Sequence, residues 1–300
     1  MKSAFVIQAR QKEKHVGKAV ASALAQTYPC EIVVSDQFST DNTLAEIHKA
    51  IDNSPRGAEH TIKVVKCPIN LPFSMEAMNL HFDWAWKQTS PDCEWIHQLS
   101  ADDYSLPNRV KVCMEAVEHK SCSAIGTTMY FENPETGERS ISGYPTETGY
   151  VKAGEGLLKL AYGSCIWGFH RDFLDKVSHR MGSHTPDVMM GYLAALDKGA
   201  YVIAEPYQVH GCHADIHNMG FGGRLRAAVG EDALCLAELN HMQLMALYDH
   251  LAQVASDLHP EGIKEEDWNP LLNMIFGQAR GWLGARQVLN MKKIQPWLLT

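Results

Sequence analysis

Several things are missing from this 300-residue chain, and each absence excludes something. No run approaches the roughly 18 uninterrupted apolar residues that a membrane-spanning helix needs. The opening residues, Met1-Lys2-Ser3-Ala4-Phe5-Val6-Ile7, turn polar at Gln8, too soon for a signal-peptide core, and no small-residue cleavage site follows. The eight cysteines, at positions 30, 67, 93, 113, 122, 165, 212 and 235, form no Cys-x-x-Cys pair. They read as reduced thiols serving as small apolar residues, and a cytoplasmic location is expected. Positive charge is also short: 27 Lys and Arg against 35 Asp and Glu leave a net charge of −8. That balance argues against coating nucleic acid or anionic membrane by charge alone, while leaving room for a local basic site. There is no internal repeat and no low-complexity tract. What is present is an apolar fraction of 45%, enough for a sizeable core, and 15 histidines, a count that directs attention to metal ligands and proton carriers.

The first hundred residues alternate between strand-like and helix-like segments. Phe5-Val6-Ile7, Ile32-Val33-Val34, Ile62-Lys63-Val64-Val65 and Glu94-Trp95-Ile96-His97-Gln98-Leu99 are short apolar runs of the kind buried in parallel sheets. Between them, Val16, Ala19, Val20, Ala23 and Leu24 follow helical spacing, as do Leu44, Ile47 and Ile51 behind a cap at Thr40 or Asp41. A third helix starts near Pro107 and carries Val110, Cys113, Met114 and Val117. This alternation predicts an α/β fold with a mostly parallel central sheet flanked by helices. Beyond it, residues 124–131 and 140–144 read as strands joined by a turn at 133–137, and Tyr201-Val202-Ile203-Ala204 as a further strand. After a glycine-rich loop at 219–224 the chain reads helical, giving a C-terminal helical appendix. Its Leu and Met stripe at 234–247 suits helix packing or a homo-oligomer contact.

Chemistry concentrates where predicted strands end. Asp36 follows one; Asp102 and Asp103 follow another. In open α/β sheets ligands bind at that edge. Adjacent carboxylates there either hold a divalent cation or cap a helix. The densest ligand cluster is His210-Gly211-Cys212-His213-Ala214-Asp215-Ile216-His217, whose spacing fits no closed four-ligand zinc pattern.

Five segments between residues 4 and 110 resemble family 2 glycosyltransferases of the GT-A fold in order and spacing. They are the opening strand and loop at 5–14, Ala25-Gln26-Thr27-Tyr28-Pro29, the run from Val34 to Thr43 with its Ser39-Thr40-Asp41-Asn42-Thr43 ending, Asn70 with Ala77-Met78-Asn79, and Leu99-Ser100-Ala101-Asp102-Asp103 with Leu106-Pro107-Asn108-Arg109. The resemblance implies a donor half over 1–120, an acceptor and catalytic half over 121–225, and the appendix over 226–300. It implies a nucleotide-sugar donor site at Ala9, Arg10, Asp36 and Asp102, and a Mn²⁺ or Mg²⁺ ion on Asp103, with His210 completing the shell or touching the diphosphate. His213 and Arg224 are further candidates, the latter with Arg226 as a lid over the phosphates. Residues 163–174, and Thr185-Pro186-Asp187 with Tyr192, Leu193 and Gly199, are similar to the family's catalytic region. There Asp187 stands as the general base of an inverting, non-processive transfer, with Asp172, Glu205 and Asp215 as other candidates. The sequence also departs from the family: Ser100 replaces the first Asp of the metal-binding element, Gln37 and Phe38 replace Asp-Gly, Arg10 replaces a common Tyr, and Met78 replaces an Arg. Two alternatives stay open, a nucleotidyltransferase and a binding protein on a degenerate transferase fold. A nucleotidyltransferase usually has a glycine-rich N-terminal loop, and residues 8–14 contain no glycine.

Overall fold

A computed structural model describes residues 1–70, 75–133, 135–141, 147–152, 166–177, 187–211 and Asp257; within helices, the side chains of 75–79, 187–189 and 192 are not described. The chain divides into two compact units, Met1–Cys212 and His213–Thr300. All described residues but Asp257 lie in the first, so the expected helical appendix and its oligomer contact fall outside them. Among the described residues no helix is long and apolar enough to cross a membrane.

The strands are β1 (Lys2–Ala9), β2 (Glu31–Asp36), β3 (Thr61–Lys66), β4 (Cys93–Ser100), β5 (Tyr104–Ser105), β6 (Ala124–Glu132), β7 (Arg139–Ile141), β8 (Gly149–Val151), β9 (Trp167–His170) and β10 (Ala200–Gly211). The helices are α1 (Val16–Leu24), α2 (Thr43–Asp52), α3 (Met75–Trp86), α4 (Arg109–Val117), α5 (Arg171–Val177) and α6 (Asp187–Asp197). One sheet runs in the order β3-β2-β1-β4-β9-β6-β10-β5, with β7 beside β6 and β8 beside β10. Strands β1 to β4 are mutually parallel, and β6 and β10 are parallel to each other. Between these two groups β9 runs antiparallel to both β4 and β6. One reversed strand restores the direction, so β1, β2, β4, β6 and β10 all end at the same edge of the sheet.

Strands β1, β2 and β4 form where expected because both of their faces are buried, and the helices each bury one apolar face against the sheet. Phe5, Ile7, Ile32 and Val34 pack with Val16, Val20 and Leu24 of α1, Ile47 of α2, and Val110 and Met114 of α4. The alternate residues Ala4, Val6 and Val33 are just as buried, which is why these strands read as continuous apolar runs. The turn after β6 is an antiparallel hairpin to β7, with Gly137 at φ +71°. The cap expected for the second helix differs in detail. Asn42 is the capping residue, with no side-chain cap bond, while Asp41 Oδ1 accepts the Thr43 N–H at 3.0 Å.

The short strands β5, β8 and β9 escape the periodicity, because two to four residues carry too little pattern. Their positions rest on tertiary contacts. Trp167 of β9 fills the space above two glycines: a Cβ on Gly126 would lie 2.6 Å from its ring, and one on Gly191 of α6 2.4 Å. These glycines let α6 approach the sheet closely. His97 is packed in the same way against Gly168, where a Cβ would come within 2.6 Å of its ring.

Two buried histidines make the fold acid-sensitive. Burial holds the His97 imidazole down at about 3 and that of His81, bonded to Ser35 Oγ at 2.7 Å, at about 4. An unfolded chain takes up these protons below about 6.5, and the folded chain does so only near 3 and 4. The unfolded state therefore binds more protons across that window, and stability falls as pH drops through it. Between pH 6.5 and 4.5 each site is expected to remove on the order of 2 kcal/mol. Urea unfolding of His97→Leu across this range should show a visibly shallower decline than the parent; parallel curves would refute the assignment.

Candidate active site

At the shared strand edge, the turn after β4 carries Ser100-Ala101-Asp102-Asp103, clamped on both sides. The Ala101 N–H donates to Gln8 O at 3.2 Å, and the Asp103 N–H to Ser100 O at 3.1 Å. Immediately after it, β5 pairs antiparallel with β10 through Ser105–Gln208 and Tyr104–Val209. That pairing brings the end of β10 over Asp103. His210 Nδ1 lies 2.9 Å from Asp103 Oδ1, and the Gly211 N–H donates to the same oxygen at 3.0 Å. Asp103 is only 2% exposed, and its Oδ2 has no hydrogen-bond partner among the described residues. The Phe131 ring of β6 meets His210 edge-on at 5.7 Å. Residues 102 and 103, set 108 positions or so from the end of β10 in sequence, thus form one site with it.

Asp36 ends β2 beside Ala9 of β1 in register. It is 4% exposed; Oδ2 accepts the Ser39 N–H at 3.4 Å, and Oδ1 has no partner among the described residues. Buried carboxylate oxygens left without donors are costly, so Asp36 and Asp103 each carry capacity for a ligand hydroxyl, an N–H or a cation. Arg10 follows Ala9 at this edge and lies close enough to His81 for its charge to disfavour protonation of that ring, after burial.

The loops after β1 and β2 are laced together. The Gln11 N–H donates to Ser39 Oγ at 2.9 Å, the Lys12 N–H to Thr43 Oγ1 at 2.7 Å and the Glu13 N–H to Asp41 Oδ2 at 3.2 Å. Gln11 and Phe38 adopt left-handed φ values of +52° and +51°. Such values for a bulky residue require surrounding structure to hold them, and here the cross-loop bonds do so. Phe38 stands where the resemblance expects glycine, so the conformation is kept and the side chain, 48% exposed, is added. Gln37, the other departure, is buried, and its amide donates to Ile69 O at 2.9 Å, a supporting role.

Asp102 makes an ion pair with Lys12, Nζ to Oδ2 2.6 Å. Burial raises the Asp102 pKa, but the Lys12 charge and hydrogen bond outweigh it and leave the carboxyl below its usual range. Lys12 carries no signal in the sequence, since a lysine in a charged loop is ordinary, and Arg109 stands out there only as part of a motif. Arg109 is wholly buried and donates to Gln208 Oε1 at 2.6 Å, Ser105 Oγ at 3.0 Å and the Gln98 and Trp167 carbonyls at 3.4 Å. Its guanidinium ties β4, β5, β9 and β10 together directly below the site. Beside Asp103, Tyr104 donates to Glu132, which also receives Arg139 at 2.9 Å and Lys18 at 3.0 Å. Burial raises the Glu132 pKa, yet these three donors bring it down to about 2.

The other base candidates separate. Asp172 opens α5 after His170, which pairs with Trp95 near the start of β4, so it lies at the opposite edge of the sheet from Asp103. Glu205 sits mid-strand in β10, within the register shift between Ile203 and Pro206, and accepts from Thr148 Oγ1 at 3.4 Å. Asp187 begins α6, with its side chain outside the description. His213, Asp215, Arg224 and Arg226 lie outside the described residues.

For a metal, the residues present fit a sparse set. Among the described residues no three His, Cys, Asp or Glu side chains form a ready-made cage. The partnerless Oδ2 of Asp103, next to His210, suits a hard cation whose other ligands are phosphate oxygens and waters.

The family model for glycosyl transferase family 2 matches residues 4–178. Two curated relatives from Pasteurella multocida, the chondroitin synthase of strain Pm70 and a hyaluronan synthase, are each 30% identical over 132 residues, 43% of this chain. The match spans 12% of each relative's length. Among solved structures, S. aureus TarS 1-349 in complex with UDP-GlcNAc has a TM-score of 0.60 at 17% identity, covering 96% of this chain and 83% of that one. The same protein in complex with UDP gives 0.58 at 17% identity over 99% and 86%. At this identity the likeness is one of fold.

Proposed function

Because the chain belongs to glycosyl transferase family 2, we propose that it moves a sugar from a uridine diphosphate sugar to an acceptor hydroxyl, with inversion and one transfer per encounter. The observation that carries this reading is the convergence, at one sheet edge, of two buried carboxylates, Asp36 and Asp103, each with an oxygen that has no partner among the described residues. The choice of uridine follows the ligands of the TarS complexes.

In this reading residues 1–120 bind the donor and 121–225 complete the acceptor side. Asp36 accepts hydrogen bonds from the nucleoside, flanked by Ala9 and Arg10. Asp103 and His210 hold Mn²⁺ or Mg²⁺, which when bound neutralises charge on the leaving diphosphate. Asp102 lies alongside, and His213 and Arg224 are the next candidates for contacts to the phosphates. Asp187 takes the proton of the acceptor hydroxyl as its oxygen attacks the anomeric carbon. The carbon–oxygen bond to the diphosphate breaks on the opposite face, and the bond electrons leave with it.

The test is a panel of nucleotide sugars scored for binding and slow hydrolysis with Mn²⁺. A uridine diphosphate sugar is expected to raise the melting temperature and to be hydrolysed. No shift with any nucleotide, with or without Mn²⁺, would leave only the degenerate binding protein.

A further inference from the structure

The ion pair between Lys12 and Asp102 has no role in the scheme above, and its placement gives it one. We infer that Lys12 is a built-in counter-cation of the donor site, one that shares the neutralisation of the diphosphate with the divalent ion. The inference rests on the donor reading just given.

Three observations carry it. First, the ammonium is at the reacting edge and is shielded: Nζ is 2.6 Å from Asp102 Oδ2, and the two side chains are 17% and 15% exposed. An ion pair at this depth is screened far less than one on the surface. Second, its backbone is anchored. The Lys12 N–H is fixed to Thr43 Oγ1, and the residues on either side are bonded to Ser39 and Asp41. The four-carbon side chain can therefore swing between Asp102 and a neighbouring anion without moving the loop.

Third, the charge balance requires a cation. Asp36, Asp102 and Asp103 gather at this edge, and an incoming diphosphate adds further negative charge beside them. Position 100 is Ser and adds no third carboxylate to this turn, and Lys12 offsets the charge of Asp102. Asp103 spends one oxygen on His210 and Gly211. That leaves few protein donors for a metal, in keeping with the lack of a three-ligand group among the described residues. Lysine is suited to the remaining task, because its ammonium is a compact point charge with three rotatable donors, a common phosphate ligand. When a diphosphate arrives, Lys12 donates to its oxygens while Asp102 stays close. Donor binding then keeps a substantial metal-independent part.

Calorimetric titration of UDP into the parent, Lys12→Met and Lys12→Arg, each in Mn²⁺ and in EDTA, tests this, with circular dichroism melts to verify folding. The parent should bind UDP in EDTA within about tenfold of its affinity in Mn²⁺. Lys12→Met should lose at least about tenfold in EDTA and about threefold or less in Mn²⁺, with Lys12→Arg close to the parent. Mn²⁺ titrated alone and followed by electron paramagnetic resonance should bind Lys12→Met more tightly, since Asp102 is released. Equal UDP affinities of parent and Lys12→Met in EDTA would overturn the inference, as would a parent that binds UDP only with Mn²⁺. A parent that binds UDP in neither buffer would overturn the donor reading itself.

Discussion

Asp103→Asn is expected to lower kcat/KM by about a thousandfold while the protein stays folded. The substitution keeps the shape of the side chain and removes its charge. The retained carbonyl oxygen can still accept the Gly211 N–H and face His210 Nδ1. The other oxygen, buried and partnerless, becomes an NH₂ group with no acceptor among the described residues. Burying that donor costs about 1–3 kcal/mol, so a modest fall in melting temperature accompanies the loss of activity. The catalytic loss is larger because the charge that would hold a cation beside the leaving diphosphate is gone. Steady-state kinetics with Mn²⁺, paired with a thermal melt, separates the two effects. Turnover within about threefold of the parent would remove Asp103 from the charge-stabilising role assigned to it.

Asp187→Asn should abolish transfer, by at least about a thousandfold in kcat, and leave UDP affinity unchanged. An amide has the volume of the carboxyl but cannot take the acceptor proton. Asp187 is the first residue of α6, so the seating of that helix fixes where the residue stands. The helix itself is firmly seated: Met190, Leu193, Ala194, Ala195 and Leu196 are buried, and Gly191 lies against Trp167. The measurement is kcat alongside UDP titration. Unchanged turnover would refute the base assignment, and a parallel loss of UDP binding would show that the residue serves the donor instead.

The two candidate site halves were unequally legible. Asp36, Asp102 and Asp103 were visible because each directly follows a β-branched or apolar run, so the end of a strand and the start of a loop could be read from composition. His210 sits in a crowded histidine segment, and only the resemblance of the run before it to the family's strand ending sets it ahead of His213. The pairing of β5 with β10 selects it, through two residue pairs with about a hundred positions between them in the chain. Lys12 and Arg109 were not singled out for a similar reason: a lysine in a loop and an arginine at a helix start are ordinary until the fold supplies Asp102 to one and Gln208 to the other. Asp172 shows the converse. Its type and neighbourhood made it a reasonable base, and the reversed direction of β9 carries it to the far edge.

By itself, then, the sequence determined the elements whose signal is local. Apolar runs made the parallel strands, helical spacing made α1, α2 and α4, and the words around Asp36 and Asp102 pointed to the family. Only the tertiary structure decided which charged groups meet. Those meetings depend on strand order, on one antiparallel strand set between two parallel groups, and on a two-residue pairing that holds β10 over Asp103. Each is an interaction between segments far apart in sequence, and its free energy comes from packing and hydrogen bonding across the sheet rather than from the preferences of either segment alone.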